Sequence, residues 1–197
     1  MNTEREIDKI SDEELIKAIV KTNDTVLFEV LYDRYSKIVY NKCYGFAKDE
    51  DEAKDLAQDV FLKLFVKLIT YKGTSKFSTW LYAFTYNHCV NYVTRNTQKK
   101  IEKQSIESSG LENVSDDNDE DDYSIHMMKV EYLREALDQI SPDEKMILLL
   151  KYQDLLSVKE LETVLGIGES AIKMRLKRAK ERLINAYTKT TRHGESL

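Results

Sequence analysis

Residues 157–187 read SVKELETVLGIGESAIKMRLKRAKERLINAY, and this stretch decides the fold. Ser157 with Glu160 three residues on marks a helix start. The hydroxyl can accept from the third helical amide while the carboxylate reaches back to the cap. The short helix VKELETVL stops at Gly166, GIG forms the turn, and a long basic helix follows from Glu169. A short helix, a glycine-bearing turn and a basic helix predict a helix-turn-helix. Leu161, Val164, Leu165, Ile167, Ala171, Ile172, Leu176 and Leu183 can bury the joint between the two helices. Ser170, Lys173, Met174, Lys177 and Arg178 are left for the open side. Early positions on such a helix face base edges in a major groove, and later cations face phosphates. A basic helix on its own reads equally well as a solvated face; the helix and turn before it favour DNA.

Upstream, SPDE repeats the start device, with Ser141 as cap, Pro142 at the first helical position and Glu144 closing the box. Met146, Ile147, Leu149 and Leu150 supply apolar positions after it, and MMKVEYLREALDQI opens this second domain near His126. From Ile101 to about Tyr123 the pattern fails. ESSGLENVSDDNDEDD is polar, like-charged and aperiodic, which predicts a flexible linker. The expected division is a helical domain over 10–100, an acidic linker over 101–126 and a helical domain over 127–190.

In the first domain, Ser11 and Glu14 form another capping box, followed by Leu15, Ile16, Ile19 and Val20. A second helix is expected from about Thr25 to Phe46, with Phe28, Leu31, Tyr32, Tyr35, Val39 and Cys43 on its apolar side. The third, KDEDEAKDLAQDVFLKLFVKLITY, leads with acids and trails with lysines, which suits the helix dipole. Its buried face is Ala53, Leu56, Ala57, Val60, Phe61, Leu64 and Leu68, leaving Asp55, Gln58, Asp59 and Leu62 opposite. Acids repel DNA, so that face belongs to solvent or to a protein.

The fourth helix, KFSTWLYAFTYNHCVNYVTR over 76–95, is rich in aromatic rings and holds no acid. A helical wheel groups Leu81, Phe84, Thr85, His88 and Tyr92, and separately Ala83, Tyr86, Asn87, Val90, Asn91 and Thr94. Phe84 and Tyr92 are expected in the core, Trp80 at its boundary, and Tyr86 outward beside the two amides. Rings, amides and cations without acids describe a single-strand surface, on which stacking is worth roughly 1–3 kcal/mol per base.

Charge agrees with two contacts on a polyanion. The chain carries a formal −5, but residues 60–100 hold seven Lys/Arg and no acid, 101–128 hold nine acids and one Lys, and 168–197 hold eight Lys/Arg and three acids. With 42% apolar and 33% charged residues in 197, one proline and little strict alternation, the fold class expected is all-α. No run is long and apolar enough for a membrane span, and the polar MNTEREIDKI is no signal peptide. Cys43 and Cys89 make no disulfide framework, and His88 beside Cys89 is no metal pair, since adjacent helical positions point apart. His126 and His193 are isolated, and no phosphate loop or hydrolase motif is present. No catalysis, no metal and no cofactor are expected, and a cytoplasmic setting is.

DEAKDLAQDVFLKLF, KFSTWLYAFTYNHCVNYVTR and SVKELETVLGIGESAIKMRLKRAKERL, in that order and separation, resemble bacterial RNA polymerase sigma factors of the extracytoplasmic-function type. The resemblance runs from about Asp12 to Tyr187, with only the linker unmatched. It implies a sigma region 2 bundle and a sigma region 4 helix-turn-helix. It places Asp55, Gln58, Asp59 and Leu62 on the clamp helices of core RNA polymerase. The loop Tyr71–Lys76 and the following helix match the part that melts the minus-ten element and holds a flipped base, with Asn87 as the base-reading asparagine. Tyr71, Lys72, Lys76, Trp80, Tyr86, Asn87, Asn91 and Arg95 then meet minus-ten DNA. Glu169, Ser170, Lys173, Met174, Arg175, Lys177 and Arg178 meet duplex at the minus-thirty-five element. The linker would thread the polymerase cleft, and an anti-sigma or other regulatory protein would control the whole. Lys72 stands where the family usually has Arg, Ala83 and Val90 where bases are common, and Gly168 where Ser usually caps. The competing readings are a stand-alone helix-turn-helix regulator, which leaves the aromatic helix unexplained, and a nucleic-acid-processing enzyme, for which no convergent acid cluster is visible.

Overall fold

The computed structural model describes residues 10–103 and 128–194. Among these, the elements are α1 (Asp12–Thr22), α2 (Thr25–Tyr44), α3 (Glu50–Lys67) running into a 3-10 turn (Leu68–Thr70), and α4 (Phe77–Lys103). Then come α5 (Val130–Gln139), α6 (Pro142–Leu148) widening into a π turn (Leu149–Gln153), α7 (Val158–Leu165) and α8 (Glu169–Gly194). The described residues contain no strand, so the fold is all-α, with two compact units divided between Asn91 and Tyr92. Helix α4 continues three residues past the expected linker start at Ile101; the rest of that linker, and His126, lie outside the described residues.

The three capping boxes form as expected at Ser11–Glu14, Ser141–Glu144 and Ser157–Glu160. Two aspartates add caps: Asp24 accepts from Val26 and Leu27 amides, and Asp49 from the Glu52 amide. Each is worth about 1 kcal/mol against Ala.

In the first unit α1, α2 and α3 bury Leu15, Ile16, Ile19, Leu31, Val39, Cys43 and the whole expected face of α3, from Ala53 to Leu68. Asp12 ties α1 to α2 by accepting from Arg34 Nη1 at 2.8 Å and from the Tyr35 hydroxyl. Cys43 and Cys89, far apart in sequence, meet inside as free thiols with their sulfurs 3.8 Å apart.

In the second unit α5 and α6 pack on α8 around Ala136, Met146, Ile147, Leu148 and Leu150. Leu148 is buried as well, while Leu149, at the start of the π turn, is half-buried. Arg182 Nη1 donates to Glu144 Oε1 at 2.6 Å, linking α8 to the start of α6. Gly166 closes α7 in the left-handed conformation, φ 66°, its amide donating to the Glu162 carbonyl. A Cβ there meets nothing within 4 Å, so substitution costs backbone energy alone. Gly166→Ala is expected to lower stability by about 1–2 kcal/mol, and Gly166→Asn by less. Chemical unfolding of both variants checks this; equal stability of all three chains contradicts it.

Candidate nucleic-acid interface

The outward stripe of α4 is Trp80, Phe84, Asn87, Asn91 and Arg95, at steps of four, three, four and four residues that keep one helical face. Trp80 stacks on Phe84 with centroids 5.4 Å apart and planes 14° apart. Tyr71 tilts against Trp80 at 5.6 Å and meets Phe77 edge-on at 5.5 Å. The Tyr71 hydroxyl donates to the Ser75 carbonyl at 2.6 Å, closing the loop that presents exposed Lys72 and Lys76. Burial, then the nearby charges of Glu13 and Asp12, raise the Tyr71 phenol above its usual pKa, so it stays a neutral donor. The result is a row of half-buried rings beside two exposed amides, bracketed by cations.

Tyr86 corrects the sequence reading. It is fully buried, not outward, and touches no surface that a ligand could reach. Its ring lies 5.8 Å from Phe46, and Lys42 Nζ sits 3.3 Å from its hydroxyl and 4.0 Å above the Tyr82 ring. Helix α4 is packed on two flanks, so its buried sector is wider than one stripe and takes in Ala83 and Val90 as well. Phe84 and Tyr92, expected in the core, are half-buried, and Phe84 joins the outward face. The signal for Phe84 was its four-residue step from Trp80, a spacing that stacks rings on a helix surface.

On α3 the exposed face carries Asp55, Gln58, Asp59 and Leu62, as expected, with Leu62 71% exposed. Val66 and Ile69, equally exposed, extend it toward the 3-10 turn. Beside it an open groove of about 430 Å³ is lined by Phe28, Tyr32, Gln58, Phe61, Leu62 and Phe65. Phe28 meets Phe65 edge-on at 5.0 Å, and Tyr32 tilts against Phe61 at 4.5 Å. Tyr32 was expected on the buried side of α2; it is exposed at the groove instead, because no helix among the described residues of the first unit covers that sector. The groove lining holds no cation and is mostly aromatic and aliphatic, with exposed Asp55 and Asp59 on the same helix as Gln58 and Leu62.

In the second unit Gly166, Ile167 and Gly168 turn α7 into α8. Ile172, Leu176 and Leu183 are buried against the rest of the unit, while Ala171, expected at the joint, is exposed. Glu169, Ser170, Lys173, Met174, Arg175 and Arg178 are exposed, and Lys177 is half-buried. Lys173 Nζ pairs with Glu169 Oε1 at 2.7 Å, and that hydrogen bond, then the lysine's charge, holds the Glu169 carboxyl below its usual range. Among the described residues no group of three potential metal ligands gathers, and no helix is long and apolar enough to cross a membrane.

An exposed acidic and apolar face on α3, an aromatic face on α4 and a helix-turn-helix on one all-α chain fit the architecture of a promoter-directing factor. Two family models match it: Sigma-70 region 2 over residues 31–99 and Sigma-70 region 4 over residues 130–183. Together they span more than half of the sequence, and the chain belongs to the extracytoplasmic-function sigma factors of the sigma-70 family. The RNA polymerase sigma factor YlaC of Bacillus subtilis is 29% identical over 171 residues, covering 87% of this chain and 96% of the relative. The sigma-E factor of Escherichia coli is 25% identical, covering 90% and 95%. Two solved structures share the fold. The sigma factor RpoE of Bartonella quintana, in complex with the anti-sigma factor NepR, superposes with a TM-score of 0.57 at 19% identity, covering 82% of this chain and 96% of that one. CnrH, in complex with the cytosolic domain of CnrY, gives 0.56 at 16%, covering 87% and 93%. The chain is thus an RNA polymerase sigma factor for transcription initiation, and nothing favours a stand-alone regulator.

Proposed function

We propose that this factor docks on bacterial core RNA polymerase through Asp55, Gln58, Asp59 and Leu62 of α3. It reads the melted minus-ten strand through the outward stripe of α4, and reads minus-thirty-five duplex through the start of α8. The partition into residues 10–100 for docking and melting and 127–190 for duplex reading belongs to the same proposal; the limits of the two matched models support it. The observation that carries it is the stripe itself: Trp80 stacked on Phe84, one turn from exposed Asn87. The half-buried rings offer their open sides to unstacked bases, the Asn87 and Asn91 amides offer donors and acceptors, and Lys72, Lys76 and Arg95 offer charge to phosphate. Tyr86 acts from beneath, as a packed support for α4, and contacts no base.

The factor acts by binding and catalyses nothing itself. Strand separation is driven by capture of unpaired bases, which offsets an unstacking cost of a few kcal/mol per flipped nucleotide. In the cytoplasm a regulatory protein of the anti-sigma class competes for the groove beside Leu62; the anti-sigma factor NepR in the RpoE structure supports a partner of that class, and the open apolar groove supports the place. The test is run-off transcription with core polymerase. Product that depends on this chain supports the proposal; specific duplex binding by the free chain with no effect on polymerase overturns it.

The α8 assignment has its own check. Arg178 lies about two turns beyond Ser170 at the start of α8, so its guanidinium is assigned to phosphate. Arg178→Ala is expected to weaken binding to all promoters alike and to reduce the slope of log K against log salt by about 1. A salt titration of holoenzyme on duplex promoter measures this, and sequence-dependent loss at unchanged slope counts against it.

A further inference from the structure

We propose that Cys43 and Cys89 are an oxidation site, at which hydrogen peroxide joins the two thiols in a disulfide that staples α2 to α4 and keeps the first unit folded under oxidising conditions.

The sulfurs touch, 3.8 Å apart, inside the first unit, and both residues are fully buried. They are the two cysteines of the chain, 46 residues apart in sequence and on different helices, so neither has another thiol to pair with. A disulfide of about 2.05 Å needs only that the two sulfurs close this gap. The two thiols are not equivalent. Cys89 Sγ donates to Cys43 Sγ. That hydrogen bond, then burial, raises the Cys89 thiol above its usual pKa, so Cys89 keeps its proton. A thiolate at Cys43 accepts that proton's hydrogen bond and is the better stabilised of the two. Lys42, the residue before it, sets its ammonium in the same seam between α2 and α4. Its Nζ lies 3.3 Å from the Tyr86 hydroxyl and 4.0 Å from the centre of the Tyr82 ring. A cation in the seam favours the thiolate. Cys43 is therefore the nucleophile and Cys89 the resolving thiol.

Buried thiols are inert while the seam is closed, so the reaction starts from a local opening between α2 and α4 that admits peroxide and water. Cys43 gives its proton to water and its thiolate attacks one peroxide oxygen. The O–O bond breaks, the departing hydroxide takes up a proton as water, and Cys43 is left as a sulfenic acid. Cys89 sulfur attacks Cys43 sulfur, the S–S bond forms, the S–O bond breaks, and a second water leaves with the Cys89 proton. Two electrons pass from the thiol pair to peroxide. A dithiol reductant reverses the bond by exchange. The bond closes a long loop and so narrows the unfolded ensemble. Asn87 and Asn91 are exposed while both thiols are buried, so the outward stripe of α4 is left uncovered.

The experiment uses the full chain, first reduced, then treated with hydrogen peroxide. Peptide mapping without reductant is expected to find the Cys43 peptide joined to the Cys89 peptide in a monomer. Trp80, the single tryptophan, lies in the first unit, so its fluorescence follows unfolding of that unit. Its thermal midpoint is expected to rise by about 10 °C or more after peroxide and to return with dithiothreitol. Cys43→Ala and Cys89→Ala are expected to show no rise, with Cys43→Ala keeping a reduced Cys89. Sulfinic or sulfonic acid at Cys43 without a linked peptide overturns the proposal. So do a link between two chains, thiols left intact by peroxide, and a linked monomer whose midpoint does not rise. If neither alanine variant folds, the wild-type chain with and without dithiothreitol decides alone.

Discussion

Leu62→Glu is expected to weaken association with core polymerase by about thirtyfold or more, equivalent to the roughly 2 kcal/mol of an interface hot spot. The side chain is 71% exposed and leaves the core of the first unit untouched, so stability should stay within about 0.5 kcal/mol. The loss comes from two sources. An apolar anchor beside the Phe28–Phe61–Phe65 groove disappears. A new carboxylate then stands one turn from Asp59 and Gln58, and docking must strip its water with no partner waiting. Lys54→Ala is the control: Lys54 pairs with Asp51 at 3.1 Å, outside the residues assigned to docking, and removing a surface pair of that kind changes little. Competition binding against wild type, together with run-off transcription, reads the effect. Full core affinity in Leu62→Glu would move the docking surface elsewhere on the molecule.

What was legible in the sequence follows the range of the interactions. Ser11, Ser141 and Ser157 find their glutamates three residues away, so the helix starts could be read from local spacing alone. The interior face of α3 was equally plain, because that helix is buried on one side and its period shows. Both rules fail on α4. Tyr86 is buried by Phe46 and satisfied by Lys42, neither of which a helical wheel drawn from α4 can contain. Tyr32 fails in the opposite direction. Its spacing fits the α2 core, but no element among the described residues covers it, so an aromatic residue ends on a groove wall. The contact of His88 Nδ1 on α4 with Lys63 Nζ on α3, 3.3 Å apart, was hidden for the same reason as that of Tyr86: its ends lie on two helices. Chemistry within one helix could be read from the chain, whereas chemistry between helices needed their packing.

Asn87 is where the two scales meet, and its replacement separates stability from function. Asn87→Ala is expected to reduce promoter opening about tenfold to a hundredfold, the 1–3 kcal/mol of a specific base contact. The side chain is exposed, one turn from Phe84 and one turn from Asn91. Its amide offers both a donor and an acceptor to a base stacked on the Trp80–Phe84 pair. No burial is lost on truncation, and alanine is the better helix former, by roughly half a kcal/mol. The variant should therefore melt slightly higher than wild type while opening promoters worse, a combination that general damage to the fold does not produce. Core affinity should change by less than about twofold, since Asn87 and Leu62 lie on different helices and make independent contacts. Permanganate reactivity of thymines in the minus-ten region reports opening, and sedimentation with core reports docking. Loss of core association, or opening at the wild-type level, would each remove Asn87 from the strand-reading face. With it would go the assignment of that face to separated DNA, because Asn87 is the amide nearest in sequence to the Trp80–Phe84 ring stack and Asn91 lies a turn farther on.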